Sequence, residues 1–226
     1  MANEHIVKSY DDDLEQLSTH IVEMGGLAER QVAMAVQCLA KRDVAIAEAV
    51  IDRDAEVDAL EEEIDRLAVQ LLATRQPMAG DLRQIAMALK MSNDLERISD
   101  YAVNVAKRSR RLLDFPQISA IQSLVRMGHT TQDMLKDVLD AFINRDTTTA
   151  MAVWHRDEEV DALYDSVFRE ILTYVIEDPR TTSGNIDLLF IAKNFERIGD
   201  HATNLAERIH YVLHGEAINR VREKGD

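Results

Sequence analysis

Leu95-Glu-Arg-Ile-Ser-Asp-Tyr-Ala-Val-Asn-Val-Ala-Lys-Arg108 and Phe195-Glu-Arg-Ile-Gly-Asp-His-Ala-Thr-Asn-Leu-Ala-Glu-Arg208 are one pattern written twice, at an offset of 100. Glu, Arg, Ile, Asp, Ala, Asn, Ala and Arg recur at matching places, so the chain is a tandem duplication. The repeated Glu and Asp stand four residues apart, which on a helix puts both carboxylates on one face. Internal comparison thus shows which residues outlasted divergence of the two halves, and several of them are charged.

Outward from these stretches, the apolar periodicity is helical throughout. Tyr10, Leu14, Leu17, Ile21, Met24, Ala28, Val32, Ala35 and Leu39 recur at spacings of three and four and predict a first helix ending near Lys41-Arg42. Asp43 is the expected N-cap of a second, with a seam of Ile46, Val50, Val57, Leu60, Ile64, Leu67 and Leu71. Arg75 to Gly80 breaks it, and a third helix starts around Asp81. The second half repeats the plan, with helices from about Gln117 to Asn144, Asp146 to Ile176 and Ser183 to Leu213, and a break from Asp178-Pro179 through Gly184. Arg42-Asp43 and Arg145-Asp146 match at an offset of 103, which falls to 100 by the last helix, so a three-residue length change belongs in the helix-helix turn. The expected fold is all-α: two tandem three-helix bundles related by internal pseudo-symmetry, residues 1–115 and 116–226, joined at Asp114-Phe-Pro116. Residues after His214 are polar and expected to fray.

Composition agrees with helices and limits function. Aromatics are 5% of residues, and Pro (3) and Gly (8) are scarce, which argues against a sheet protein. A formal charge of −15 repels phosphate backbones and anionic headgroups, so neither nucleic acid nor a lipid surface is an expected partner. Cationic ligands and basic surfaces fit better. No basic segment followed by an apolar core opens the chain, and no run approaches the roughly 18 apolar residues of a membrane span, so a cytoplasmic protein without membrane insertion is expected. The one cysteine, Cys38, reads as a small buried hydrophobe.

A second pattern sits on the middle helix of each half: Asp54-Ala-Glu-Val-Asp-Ala-Leu60 matches Asp157-Glu-Glu-Val-Asp-Ala-Leu163. If the second and third helices of a half form an antiparallel hairpin, Asp54/Asp58 and Glu96/Asp100 are centred on Pro77, and Asp157/Asp161 and Glu196/Asp200 on the Asp178-Pro179 junction. Each set of four carboxylates would then share one level, about 30 Å from its turn. Asp58, Glu96, Asp161 and Glu196 directly follow seam residues, which places them at the edge of the helix interface. Carboxylates converging there repel one another by about 0.2 to 0.5 kcal/mol per like-charge pair, and a bound cation removes the penalty. All-oxygen ligation favours hard ions such as magnesium, manganese, calcium or iron, and bridging carboxylates can hold more than one. Asn104 and Asn204 continue the stripe as ligands or supporting donors. Arg97 and Arg197, next to each Glu, are the obvious ion-pair partners if no metal binds, and the chain would then be a metal-free helical scaffold. His201 aligns with Tyr101 and is expected at the surface or in packing, as is Trp154. A carboxylate-bridged di-metal oxidase needs Glu-x-x-His twice, and only Glu207-Arg-Ile-His210 qualifies, since Lys107-Arg-Ser-Arg110 does not.

The two Glu-Arg-Ile-x-Asp-x-Ala-x-Asn cores, their Asp-x-Glu-Val-Asp partners and the turn Gln76-Pro-Met-Ala-Gly-Asp-Leu-Arg83 closely resemble the PhoU family of phosphate-uptake regulators over nearly the whole chain. The resemblance implies paired three-helix bundles carrying multinuclear metal clusters. Carried over, the ligands are Asp54, Asp58, Glu96 and Asp100 in one site and Asp157, Asp161, Glu196 and Asp200 in the other. The implied ions are divalent or trivalent: iron, manganese or magnesium first, zinc after them. It also implies a cytoplasmic, non-enzymatic negative regulator of phosphate uptake and phosphate-starvation signalling. Such a regulator, a homodimer, would stand between the ATPase of a phosphate ABC transporter and a sensor histidine kinase.

Overall fold

The computed structural model describes residues 2–75, 77–115 and 120–218, with side chains from residue 10 apart from that of Arg75. Among them there are helices and no strands: α1 (Ala2–Lys41), α2 (Val44–Asp52), α3 (Asp54–Arg75), α4 (Ala79–Arg111), α5 (Ile121–Asn144), α6 (Thr147–His155), α7 (Asp157–Glu177) and α8 (Thr182–His214). The fold is the expected all-α tandem of helical bundles. None of these helices is long and apolar enough to cross a membrane.

The ends of α1 and α5 are set by a repeated device. Arg42 and Arg145, at matching positions, adopt φ of 54° and 53°, a left-handed conformation that a helix end usually gives to glycine. After α5, the Arg145 N–H reaches the Phe142 carbonyl and the Asp146 N–H the Ala141 carbonyl, which closes the last turn. Arg42 is anchored by its guanidinium, which donates to the carbonyls of Leu112 and Phe115 at 2.6 Å each. Asp43 and Asp146 then cap the next helices as expected, accepting from the N–H groups of Ala45 (2.9 Å) and Thr148 (2.8 Å).

The expected continuous middle helix is instead two helices in each half. Arg53 and Arg156 stand near φ/ψ of −85/−5° and −77/−5°, and local i→i+3 bonds such as Glu56 N–H to Arg53 O replace the α-helical ladder. No Pro or Gly marks the break, and ordinary residues only a few tens of degrees from helical carry it. The short α2 lays Ala47 and Val50 against Cys38, Val103 and Ala106. The break also makes Asp54 and Asp157 the first residues of α3 and α7, where the positive helix end favours a carboxylate.

The turns differ slightly from expectation. α4 begins at Ala79, two residues before Asp81, and Gly184 lies inside α8, because a short 3-10 turn at Pro179–Thr181 completes the second reversal. Gln76, residues 116–119 and residues 219–226 lie outside the described residues, so part of the expected linker, the start at Gln117 and the far end of the tail do too.

Buried side chains from both halves form one continuous core, running from Leu14 and Ile21 through Leu95 and Ile98 to Phe195 and Ile209. Leu95 and Phe195, which open the two copies of the motif, are fully buried, each contributing about 1.5–3 kcal/mol of apolar burial. α4 and α8 run antiparallel in contact across the middle of this core, held at their edges by Arg108 to Asp187 (2.8 Å), Arg111 to the same carboxylate, and His201 to Asp94 (2.8 Å).

Two glycines test how tightly the core is filled. A Cβ on Gly128 would sit 2.7 Å from Val36 Cγ2 and 2.8 Å from Phe195 Cζ, and both neighbours are themselves buried. Around Gly26, in α1, nothing lies within 4 Å. Chemical denaturation should therefore show Gly128→Ala losing about 1–3 kcal/mol from overpacking. Gly26→Ala should gain about 0.5–1 kcal/mol from helix propensity alone. Equal effects at the two positions would mean that the Gly128 contact is not limiting.

Candidate metal centre

The four carboxylates of each half meet where α3 faces α4 and α7 faces α8. In the first half the Ser99 hydroxyl donates to Asp54 Oδ1 at 3.0 Å. Ser99 directly precedes Asp100, so the α3 and α4 pairs stand at one level, as the hairpin midpoint requires. In the second half Asp157 accepts from the Thr203 hydroxyl at 3.2 Å. The supporting hydroxyl has moved by one helical turn: position 199 is Gly, packed on Val160, and the counterpart of Thr203 is Val103.

Electrostatics record the crowding. Loss of water by burial pushes the Glu96 carboxyl up to about 7, with Asp100 adding repulsion, Arg97 opposing it and Glu61 adding more. Asp54 is raised by burial and by Asp58 and Asp100, against the Ser99 hydrogen bond. Asp200 is an exposed residue, yet its carboxyl loses water on the side turned to protein and is pushed up to about 6, with Glu196, Asp157 and Asp161 repelling and Lys193 opposing. Asp58 and Asp161 reach solvent.

Among the described residues, no three or more of the His, Cys, Asp and Glu side chains close into a ready metal cage. The residues nevertheless fit a cation. Glu96 Oε2 and Glu196 Oε2 are both buried and accept no hydrogen bond, although Arg97 Nε stands 3.3 Å from the first and Lys193 contacts the other oxygen of Glu196. Such an oxygen costs about 1–3 kcal/mol or more when left unsatisfied, a cost that a bound cation would lift at both matched positions. The surrounding groups are carboxylate oxygens, the chemistry of hard ions.

The expected supporting residues go to different places. Arg97 straddles its own pair, with Nε 3.3 Å from Glu96 Oε2 and Nη1 3.2 Å from Asp100 Oδ2. Arg197 turns away toward α4, with its guanidinium 5.5 Å from the Tyr101 ring centroid and Nη1 3.5 Å from the Tyr101 hydroxyl. Asn104 is exposed, whereas Asn204 reaches across to Asp94 at 3.4 Å.

Some of the charged neighbours carry no mark in the repeat. Lys193, rather than Arg197, contacts Glu196, at 2.6 Å. Glu61 adds an acidic neighbour to the first site, hydrogen-bonded to Asn93, and only its place one turn beyond Asp58 could have suggested it. His201 is not merely a surface or packing residue: it pairs with buried Asp94 and tilts against Tyr101 at 5.7 Å. Asp94 also faces Arg208 at 3.6 Å; it aligns with Asn194, so the repeat offered no sign of it. Trp154 packs on the core and donates through Nε1 to Glu207, the acidic residue of the lone Glu-x-x-His. Cys38 is buried, its thiol pushed up to about 11 by desolvation.

Comparison with known proteins gives the family. The PhoU domain model matches twice, over residues 21–109 and 124–209. The chain is 50% identical to the phosphate-specific transport system accessory protein PhoU homolog of Caulobacter vibrioides, over 99% of this chain and 97% of that protein. It is 45% identical to the homolog from Xylella fastidiosa, over 99% and 93%. The crystal structure of PhoU from Pseudomonas aeruginosa superposes with a TM-score of 0.89 at 38% identity, covering 92% of this chain and all (100%) of that one. PhoU from Streptococcus pneumoniae, described as a phosphate transport system regulatory protein, gives 0.84 at 27% identity, with coverage of 93% and 99%. With two matched domains and half of its residues shared with a relative along almost its full length, this chain belongs to the PhoU family.

Proposed function

We propose that this protein is a metal-binding adaptor that represses phosphate uptake and phosphate-starvation signalling, working between the ATPase of a phosphate ABC transporter and a sensor histidine kinase. The observation that carries the metal part is the crowding of the eight duplicated carboxylates, in which Glu96 Oε2 and Glu196 Oε2 are buried without a hydrogen bond. The phosphate part rests on the roles of the relatives, which are accessory or regulatory proteins of phosphate transport. Asp54, Asp58, Glu96 and Asp100 would hold ions in one half and Asp157, Asp161, Glu196 and Asp200 in the other. The donor set suits iron, manganese or magnesium, with zinc a softer candidate. A cation bound there would neutralise carboxylates that otherwise repel one another, so occupancy can change which faces of the bundle are acidic and therefore which basic partner surface docks. The protein does no chemistry in this scheme. A homodimer is the assembly proposed.

Elemental analysis of protein purified without chelator should find metal, and chelation should lower the unfolding midpoint. A ligand of the folded state present at 100 times its Kd is worth about 2.7 kcal/mol. Glu96→Gln/Asp100→Asn should remove the ions of one half and leave those of the other. An unchanged midpoint on chelation, with no metal in the protein, would sink the metal reading.

Acid should oppose metal. Glu96 and Asp200 have folded-state pKa values of about 7 and about 6, above the ordinary carboxylate range. The native state therefore binds more protons than the unfolded one between about pH 4 and 7. The stability these two groups lend the metal-free fold is present at the acid end of that window and is lost as pH rises through 6 and 7. Metal needs the deprotonated oxygens, so its affinity should rise over the same interval. Thermal unfolding at pH 5 to 8, with and without Mn²⁺, should show the metal-induced increment growing with pH; an increment independent of pH contradicts the assignment.

Deleting the gene should leave alkaline phosphatase derepressed in phosphate-rich medium, and the full chain should co-purify with the transporter ATPase or the kinase. Normal repression in the deletion strain counts against the regulatory role.

A further inference from the structure

Divergence of the two halves has given Arg97 and Arg197 different surroundings. Each follows the Glu of its motif, and each could span the adjacent Glu and Asp. Arg97 does so. Arg197 lies instead over the ring of Tyr101, which belongs to α4 in the other half of the molecule. The residue matching Tyr101 is His201, whose ring is tied to Asp94 at 2.8 Å and gives Arg97 no phenol to lean on. The two sites differ in a second way. Lys193 already contacts Glu196 at 2.6 Å, whereas its counterpart Asn93 is neutral and bonded to Glu61. The Glu of each motif thus meets a cationic side chain, Arg97 in the first site and Lys193 in the second. If Arg197 also turned inward, the second site would carry two.

We infer that Tyr101 is a positioning residue that holds Arg197 off Glu196 and Asp200, keeping the second carboxylate site free for a metal ion. The interaction is a cation over an aromatic face plus a contact with the phenol oxygen, favourable at an exposed site. Its effect at the metal site is electrostatic, because a guanidinium on the pair is a built-in cation competing with the bound one. A residue of the first half therefore tunes the ion affinity of the second. This inference rests on the metal-binding reading proposed above.

The test uses the full chain carrying Glu96→Gln/Asp100→Asn, so that Mn²⁺ added as the probe reports the second site alone, by calorimetry or by electron paramagnetic resonance of the free ion. In that background Tyr101→Leu, which keeps apolar bulk and removes the ring, should weaken Mn²⁺ binding by roughly tenfold. Adding Arg197→Ala should restore it, since the released guanidinium is then gone, and Tyr101→Phe should keep most of the original affinity. A merely structural role for Tyr101 would not be rescued at Arg197. Unchanged binding in Tyr101→Leu, or a loss that Arg197→Ala fails to reverse, overturns the inference while leaving the metal site standing. A background chain that binds no Mn²⁺, with Tyr101 intact, overturns the metal reading itself and the inference with it.

Discussion

Because α4 and α8 lie antiparallel against each other, two copies of one motif can share a single buried seam and still present their carboxylates to different helices. Leu95, Ile98, Ala102 and Val105 point into the core from one copy, and Phe195, Ile198, Ala202 and Leu205 from the other. With those positions filled, a 3.6-residue period places Glu96 and Asp100, or Glu196 and Asp200, at the edge of the seam. There each pair meets the first turns of α3 or α7. The site geometry follows from the packing of the motif's apolar half, so the level pairing across each hairpin needs no loop to hold it. Rigid helices position such a site better than loops do.

What could be read from the chain alone was whatever the duplication wrote twice. The helical class, the caps at Asp43 and Asp146 and the eight carboxylates were legible because each has a period or a copy. The breaks at Arg53 and Arg156 are copies too, yet a periodicity argument passes over them. The backbone departs little from helical there, and the seam continues from Val50 to Val57 without a missed beat. Asp94, His201 and Lys193 were hidden for the opposite reason: they occur once, opposite Asn194, Tyr101 and Asn93. Comparing halves is blind to residues that divergence has put to separate use.

Those single residues are where the pseudo-symmetry is resolved into two different neighbourhoods. The hydroxyl that holds the first Asp comes from Ser99 in one half and from Thr203, a turn later, in the other. Glu61 with Asn93 becomes Tyr164 with Lys193, whose ammonium also lies 5.4 Å from the Tyr164 ring. Carboxylate identity persisted at all eight positions while their supports were exchanged, the pattern expected if the oxygens themselves have a task and the supports need only orient them.

Repulsion retained among the carboxylates supports the same view. A sequence tuned only for stability would relieve Glu96, whose buried Oε2 takes no hydrogen bond and has only Arg97 Nε at 3.3 Å beside it, and whose carboxyl is pushed up to about 7, with a neutral side chain of similar size. Glu196 carries the same unsatisfied oxygen in the other half. Local conflict kept at matched positions is the mark of a functional site. With a cationic side chain already at each Glu, the proposed metal ion is a partner that would resolve it. The arginine or lysine then becomes the competitor whose placement sets how tightly that ion is held.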